Sequence, residues 1–85
     1  MATISEEKIS GRIIDYMSET FPRVDAATLS PGTDLIEEGI VDSFGLIEIV
    51  SFIQREFNIT VNDDDILPEN FITVEAMTNY ILRTL

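Results

Sequence analysis

The feature that most constrains the fold is a run of apolar residues at helical spacing between residues 43 and 57. Steps of three and four residues place apolar side chains on one face of an α-helix. The pattern predicts a helix from about Ser43 to Phe57, with Phe44 and Ile47 beside or outside its buried stripe. The stripe consists of Leu46, Ile49, Val50, Ile53 and Phe57. Glu48 interrupts the run, which is far short of the roughly 20 apolar residues that a bilayer span needs.

Two further segments carry the same periodicity. The first helix is predicted to begin near residues 3–5 and to end before Pro22, and the last to begin after Thr73, which caps it. The predicted buried faces are Ile9, Ile13, Tyr16 or Met17 and Phe21 in the first helix, and Val74, Met77, Tyr80 or Ile81 and Leu85 in the last. Between them, NDDDILPENF indicates a short acidic helix or turn. The alternation of Ile59 and Val61 is too short and isolated to make a sheet.

The predicted fold is all-α, a four-helix bundle of three main helices and one short helix that forms a single domain over residues 1–85. Residues 20–42 form a connection that is long for a compact domain. Because apolar residues recur along it, we expect an ordered loop packed over the core. These residues are Val24, Leu29, Leu35, Ile36, Ile40 and Val41.

Acidic residues dominate the charge, since 16 Asp and Glu against 5 Lys and Arg give a net charge of -11. Such a field repels nucleic-acid phosphates and anionic lipid and speeds encounters with basic protein surfaces. We therefore expect basic-faced protein partners, no nucleic-acid ligand, and a monomer, because the acidic surfaces repel one another. Acids that only keep a small domain soluble are the alternative. The lack of cysteine and of a signal-peptide pattern predicts a reduced, cytoplasmic setting.

The composition argues against autonomous catalysis. The chain has no histidine and no cysteine, so it lacks the usual general base, thiol nucleophile and preferred metal ligands. Glu37 and Glu38 are adjacent acids in a predicted loop, which is typical of surface charge. Asp63 to Asp65 do not follow the calcium-loop pattern, because they are contiguous and no glycine follows at the required turn. We predict a non-enzyme without a metal site, and leave open weak divalent-ion binding at the acidic segment.

Asp42 and Ser43 stand at the entrance of the central helix, after a sharp turn that Gly39 permits. Either side chain can cap the helix by accepting a hydrogen bond from a free backbone N–H. The same place favours a phosphate, because free N–H groups and the positive end of the helix dipole meet there. A phosphodiester on the Ser43 oxygen would lie against both. The dipeptide alone is more typical of a simple cap.

In its wider context the dipeptide resembles a known family. The run DLIEEGIVDSFGLIEIVSFIQREFNITV and the later TVEAMTNYI are similar to the acyl carrier protein family, including its peptidyl and aminoacyl members. The resemblance spans nearly the whole chain and implies a bundle of the acyl-carrier type. It implies that Ser43 receives 4'-phosphopantetheine from coenzyme A through a separate Mg-dependent phosphopantetheinyl transferase. The thiol of this arm would hold acyl or aminoacyl groups as thioesters for partner enzymes.

The resemblance also implies roles for the residues around Ser43. Asp42 matches the aspartate of the attachment motif, as a cap and as part of the surface that the transferase recognises. Phe44 takes the place of an exposed leucine that partners contact, and Glu48 that of an acidic partner-facing residue, with Ile47 near it. Packing of Phe44 against the long loop and a merely solvated Glu48 are the alternatives.

Departures from the family pattern favour a specialised carrier. Gly45, Ser51 and Gln54 occupy positions that are acidic or partner-facing in carriers of fatty-acid synthesis, and Arg55 adds a positive charge. The segment LPENF resembles stand-alone carriers that work with an adenylating ligase, which loads an amino acid or another carboxylic acid. We therefore expect a stand-alone carrier of a specialised lipid or secondary-metabolite pathway.

A second hypothesis is a non-covalent acidic adaptor of the same fold. In it Ser43 only caps the helix, and Phe44 with Ile47 forms a patch that docks a basic partner protein. Such an adaptor would bind its partner in a salt-sensitive way without any prosthetic group.

Overall fold

Four α-helices and one turn of 3-10 helix follow one another in the computed structural model, which describes residues 5–21, 24 and 29–85. The helices are α1 (Glu6–Thr20), α2 (Ser43–Phe57), α3 (Pro68–Phe71) and α4 (Val74–Thr84), and the 3-10 turn (Asp63–Asp65) precedes α3. These described residues contain no strand. The predicted all-α bundle of three main helices, one short helix and a long first loop is confirmed, and α2 has the predicted bounds.

Side chains cap the starts of the long helices. At α1, Ser5 Oγ accepts a hydrogen bond from the Lys8 N–H at 3.2 Å, and at α4, Thr73 Oγ1 accepts one from the Ala76 N–H at 2.9 Å. Both bonds satisfy a backbone donor that the helix itself leaves free. Pro22, predicted to close α1, lies outside the described residues, and the helix ends at Thr20.

The helices bury one face each around a common core. α1 packs against α4, and α3 packs against both α4 and α2. Tyr16 and Phe21 lie at the edge of this core, whereas Tyr80 and Ile81 are both buried. The prediction that Leu85 packs inward is wrong: it is 59% exposed, because it follows the last turn of α4, where no described element covers it. The core contains all five residues of the predicted α2 stripe, namely Leu46, Ile49, Val50, Ile53 and Phe57.

Residues 29–42 form an ordered loop fastened to the core, as predicted. Leu35 is fully buried, and its N–H donates to the Ile72 carbonyl at 2.9 Å. The Leu35 carbonyl accepts hydrogen bonds from the N–H groups of both Ile40 and Val41 at 3.0 Å. These bonds fix the chain just before α2, so the loop sets where that helix begins.

The expected apolar contacts of this loop are confirmed with one exception. Val24 and Val41 are buried, and Leu29 and Ile40 pack partly buried against the core. The prediction that Ile36 also packs inward is wrong, since it is 38% exposed. Ile36 belongs to the turn of residues 35–39, which faces solvent on most of its residues.

Candidate functional site

The site begins with the turn that leads the chain into α2. Asp34 Oδ1 accepts hydrogen bonds from the N–H groups of Ile36 and Glu37, at 3.2 and 2.9 Å. Gly39 then adopts a φ of 72°, a left-handed conformation that a residue with a Cβ adopts only at a cost. The predicted role of Gly39 in the sharp turn is therefore confirmed.

Asp42, and not Ser43, caps α2. Asp42 has an extended backbone, its Oδ1 accepts a hydrogen bond from the Gly45 N–H at 2.8 Å, and its carbonyl accepts one from the Leu46 N–H at 2.9 Å. Ser43 is the first residue of the helix. The choice between the two residues that the sequence leaves open is thus settled in favour of the aspartate.

This arrangement leaves the Ser43 hydroxyl free. The side chain is exposed, and it makes no hydrogen bond within the described part of the chain. The backbone N–H groups of Ser43 and Phe44 likewise have no acceptor among the described residues, as expected for the first positions of a helix. An exposed hydroxyl oxygen therefore lies beside two unpaired donors at the positive end of a 15-residue helix.

Gly45 lies buried directly behind the serine. A Cβ built on it would lie 2.9 Å from Val41 Cγ1 and 3.0 Å from Phe21 Cε1, closer than ordinary van der Waals contact. The interpretation of Gly45 as a partner-facing position is therefore wrong. The first turn of α2 needs a glycine here because the end of α1 and the loop both close against it.

Gln54 also has a structural role in place of the predicted partner-facing one. Its Oε1 accepts a hydrogen bond from the Val61 N–H at 2.9 Å, which ties the segment after α2 back to the helix. Ser51 and Arg55 remain exposed on α2. Neither Gly45 nor Gln54 could be assigned from local pattern alone, although a glycine inside a helical pattern does signal a packing reason.

An apolar surface lies beside Ser43 on the outside of α2. Phe44 is 79% exposed and Ile47 is 56% exposed, and Glu48 is exposed next to them. Their spacing of three and four residues places these three side chains on one side of the helix. The alternative that Phe44 packs against the long loop does not hold at this exposure. We call Phe44, Ile47 and Glu48 the α2 outer face.

Most of the acidic candidates are exposed surface residues. Glu37 and Glu38 are exposed in the loop, as are Asp63 and Asp64 in the 3-10 turn. Within the described ranges, no group of three or more acidic residues is placed to hold a metal ion. The same residues include no helix long and apolar enough to cross a membrane.

Asp65 has a structural partner that the sequence did not reveal. The Tyr80 hydroxyl donates a hydrogen bond to Asp65 Oδ2 at 2.8 Å, and the Asn70 amide donates to the Asp65 carbonyl at 2.8 Å. Burial raises the pKa of the Tyr80 phenol, and the hydrogen bond to the Asp65 carboxylate raises this pKa further. The acidic turn is thereby fastened to α4.

The chain matches one family model and is similar to several carrier proteins. Residues 11–81 match the family model described as "Phosphopantetheine attachment site". The chain is 35% identical over 76 residues to an acyl carrier protein of Nitratidesulfovibrio vulgaris, covering 89% of this chain and 91% of that one. It is 33% identical over 60 residues to aminoacyl carrier protein 2 of Bradyrhizobium diazoefficiens, covering 71% of this chain and 66% of that one.

A solved structure shares the fold. The structure titled "Structure of KstB-PCP(apo)" superposes with a TM-score of 0.72 over 93% of this chain and 88% of that chain. The two sequences are 24% identical, so this likeness supports the helical arrangement alone.

Proposed function

The chain belongs to the carrier-protein family defined by a phosphopantetheine attachment site, and we propose that Ser43 is the residue to which its arm is attached. Members of this family bind 4'-phosphopantetheine covalently. The observation that carries the assignment is the free, exposed Ser43 hydroxyl at the start of α2, which Asp42 releases from the capping role.

The residues around Ser43 fit a phosphate ester on its oxygen. The unpaired N–H groups of Ser43 and Phe44 and the positive end of α2 favour negative charge at this position. The neighbouring Asp42 carboxylate is a competing negative charge, and one of its oxygens accepts the Gly45 N–H. Buried Leu35 and the bonds that hold Val41 keep the loop before the serine in place.

The chain supplies the position of the reacting oxygen and leaves the chemistry to its partners. One oxygen of the Asp42 carboxylate is engaged in the cap, and the chain contains no histidine, so the proposal assigns the base that takes the Ser43 proton to the transferase. When attached, the arm supplies a thiol on which acyl or aminoacyl groups are held as thioesters. The chain then presents these groups to other enzymes.

We assign partner contact to the α2 outer face. Its exposed aromatic and aliphatic side chains lie within one helical turn of Ser43, so a transferase or ligase that reaches the serine also meets Phe44 and Ile47. Aromatic residues, phenylalanine among them, are enriched in protein interfaces relative to the rest of the surface. The partners are a phosphopantetheinyl transferase and a ligase that activates an acyl or aminoacyl group.

The most detailed part of the proposal is the kind of pathway in which the carrier works. Glu48 is the acidic residue of the α2 outer face, and exposed Ser51 and Arg55 follow it. A docking surface with so little negative charge suits partners other than those of general fatty-acid synthesis. Together with relatives named as acyl and aminoacyl carriers, this supports a stand-alone carrier of a specialised lipid or secondary-metabolite pathway.

Intact mass spectrometry tests the attachment. The native chain, Ser43→Ala and Ser51→Ala are each incubated with coenzyme A, magnesium and a broad-specificity phosphopantetheinyl transferase. Ser51 is an exposed serine two turns further along the same helix, so Ser51→Ala is the matched control. The proposal predicts one added phosphopantetheine on the native chain and on Ser51→Ala, and none on Ser43→Ala. Attachment to Ser43→Ala would refute the site, and no attachment to any folded variant would favour the adaptor hypothesis.

A further inference from the structure

A groove runs between α1 and α2, and neither Ser43 nor Phe44 lines it. Its volume is about 220 Å³, which is enough for one long side chain. Its lining residues are Arg12, Asp15, Tyr16, Glu19, Phe52 and Glu56. The groove therefore combines two aromatic rings with four charged groups.

The aromatic part of the groove is held in a fixed arrangement. The rings of Tyr16 and Phe52 stack with their centroids 3.9 Å apart and their planes 11° from parallel. Phe21 makes a T-shaped contact with Tyr16, and Phe57 makes one with Phe52, each at a centroid distance of 6.4 Å. Because these contacts come from both helices and the residues next to them, the two rings of the groove are held in place.

The charges of the groove are not balanced. Arg12 forms an ion pair with Glu56 across the two helices, so its charge is compensated within the groove. The carboxylates of Asp15 and Glu19 have no ion-pair or hydrogen-bond partner in the described part of the chain. Two free carboxylates on α1 thus stand beside the stacked rings.

We infer that this groove binds a cationic side chain of a partner protein, specifically an arginine. Two free carboxylates repel an anion and disfavour a purely apolar ligand. A guanidinium forms two-pronged pairs with carboxylates and packs its flat surface against aromatic rings, which an ammonium ion does less well. The two unpaired carboxylates beside two aromatic rings suit one arginine side chain.

The identity of the partner rests on the proposed function. Glu48 belongs to the α2 outer face, and Phe52 follows it by one helical turn on the same side of α2. The Tyr16 hydroxyl also reaches the Glu48 carbonyl, at 3.5 Å. The groove is therefore continuous with the α2 outer face. Phe44 and Phe52 are eight residues apart, which corresponds to about 12 Å along a helix. A partner that contacts Phe44 would therefore have to place its arginine about 12 Å further along α2.

The groove can be tested without any partner. The whole chain, labelled for NMR, is titrated at low ionic strength with N-acetyl-arginine amide and, separately, with the neutral isostere N-acetyl-citrulline amide. We expect saturable chemical-shift changes at the Tyr16 and Phe52 resonances with the arginine probe. The citrulline probe should bind at least about fivefold more weakly. Equal responses to the two probes, or no saturable response at these rings, would overturn the inference.

A pair of matched variants separates the groove from the general acidity of the chain. Asp15→Asn with Glu19→Gln should abolish the ring response to the arginine probe. Glu37→Gln with Glu38→Gln removes the same charge from the exposed loop and should leave the response unchanged. A loss of similar size in both double variants would show attraction to overall charge and would refute the site. Because Ser43→Ala should respond like the native chain, failure here is distinguishable from failure of arm attachment.

Discussion

Gly45→Ala is the substitution for which the structure makes its sharpest prediction. The new Cβ would lie 2.9 Å from Val41 Cγ1 and 3.0 Å from Phe21 Cε1, so either the loop or the end of α1 must shift. Overpacking of this kind costs about 1–3 kcal/mol. Replacing a helical glycine by alanine returns about 1 kcal/mol through helix propensity. We expect a net loss of about 0–2 kcal/mol in the free energy of unfolding.

Gly11→Ala provides the matched control. Gly11 lies in the middle of α1, and a Cβ there would have no neighbour within 4 Å. This variant should therefore gain about 1 kcal/mol by propensity alone. The two variants should differ in stability by about 1–3 kcal/mol, which urea unfolding followed by circular dichroism resolves through the midpoint, provided that the slope is unchanged.

A third variant tests the cause of the difference. Val41→Ala removes the γ-methyl groups that the new Cβ would meet, so the cost of Gly45→Ala should be smaller in the Val41→Ala background. Neighbouring substitutions of this kind couple by about 0.5–3 kcal/mol. If Gly45→Ala stabilises the chain as much as Gly11→Ala does, a Cβ at position 45 meets no costly contact, and the claim that this position needs a glycine is refuted.

Three further predictions concern the site and its support. Asp42→Ala should lose about 0.5–2 kcal/mol of stability by urea unfolding, whereas Asp42→Asn should keep most of the cap to the Gly45 N–H; equal losses would contradict the capping role. Phe44→Ala should change stability by less than about 0.5 kcal/mol. It should lower the kcat/KM of arm attachment about tenfold, and an unchanged kcat/KM would show that the transferase does not contact Phe44. Tyr80→Phe should cost about 0.5–1.5 kcal/mol at neutral pH, because Asp65 loses its hydrogen bond. The pKa of the Tyr80 phenol is raised by folding, so its stabilising effect is complete below the unfolded pKa of about 10 and is lost as pH rises through the folded pKa. The free energy of unfolding of the native chain and of Tyr80→Phe should therefore be measured from neutral to alkaline pH. It should fall less for Tyr80→Phe than for the native chain, and an identical fall would contradict the raised pKa of Tyr80.

Much of the fold follows from local sequence signals. The bounds of α2 are predictable because an Asp-Ser entrance precedes its apolar stripe and Asn58, with its left-handed backbone, ends it. Thr73 is predictable as the cap of α4 for the same local reason. In each case the residues that decide the structure lie within a few positions of one another.

The features that the sequence did not predict depend on contacts between distant residues. Gly45 is buried because Phe21, 24 positions earlier, reaches it across the bundle, and Gln54 turns inward to meet the Val61 N–H. Helical periodicity assigns Leu85 to the buried face of α4, yet the helix ends at Thr84 and leaves it exposed. Local pattern gives the direction of a side chain but not whether another element is there to cover it.

The most direct test of the account is to locate the arm on the native chain. After incubation with coenzyme A, magnesium and an active phosphopantetheinyl transferase, the protein is digested and its peptides are sequenced by tandem mass spectrometry. The chain has six serines, and the account predicts that phosphopantetheine is found on Ser43 alone. Its presence on another serine, or its absence from a folded chain while a control carrier is modified, would contradict the central claim.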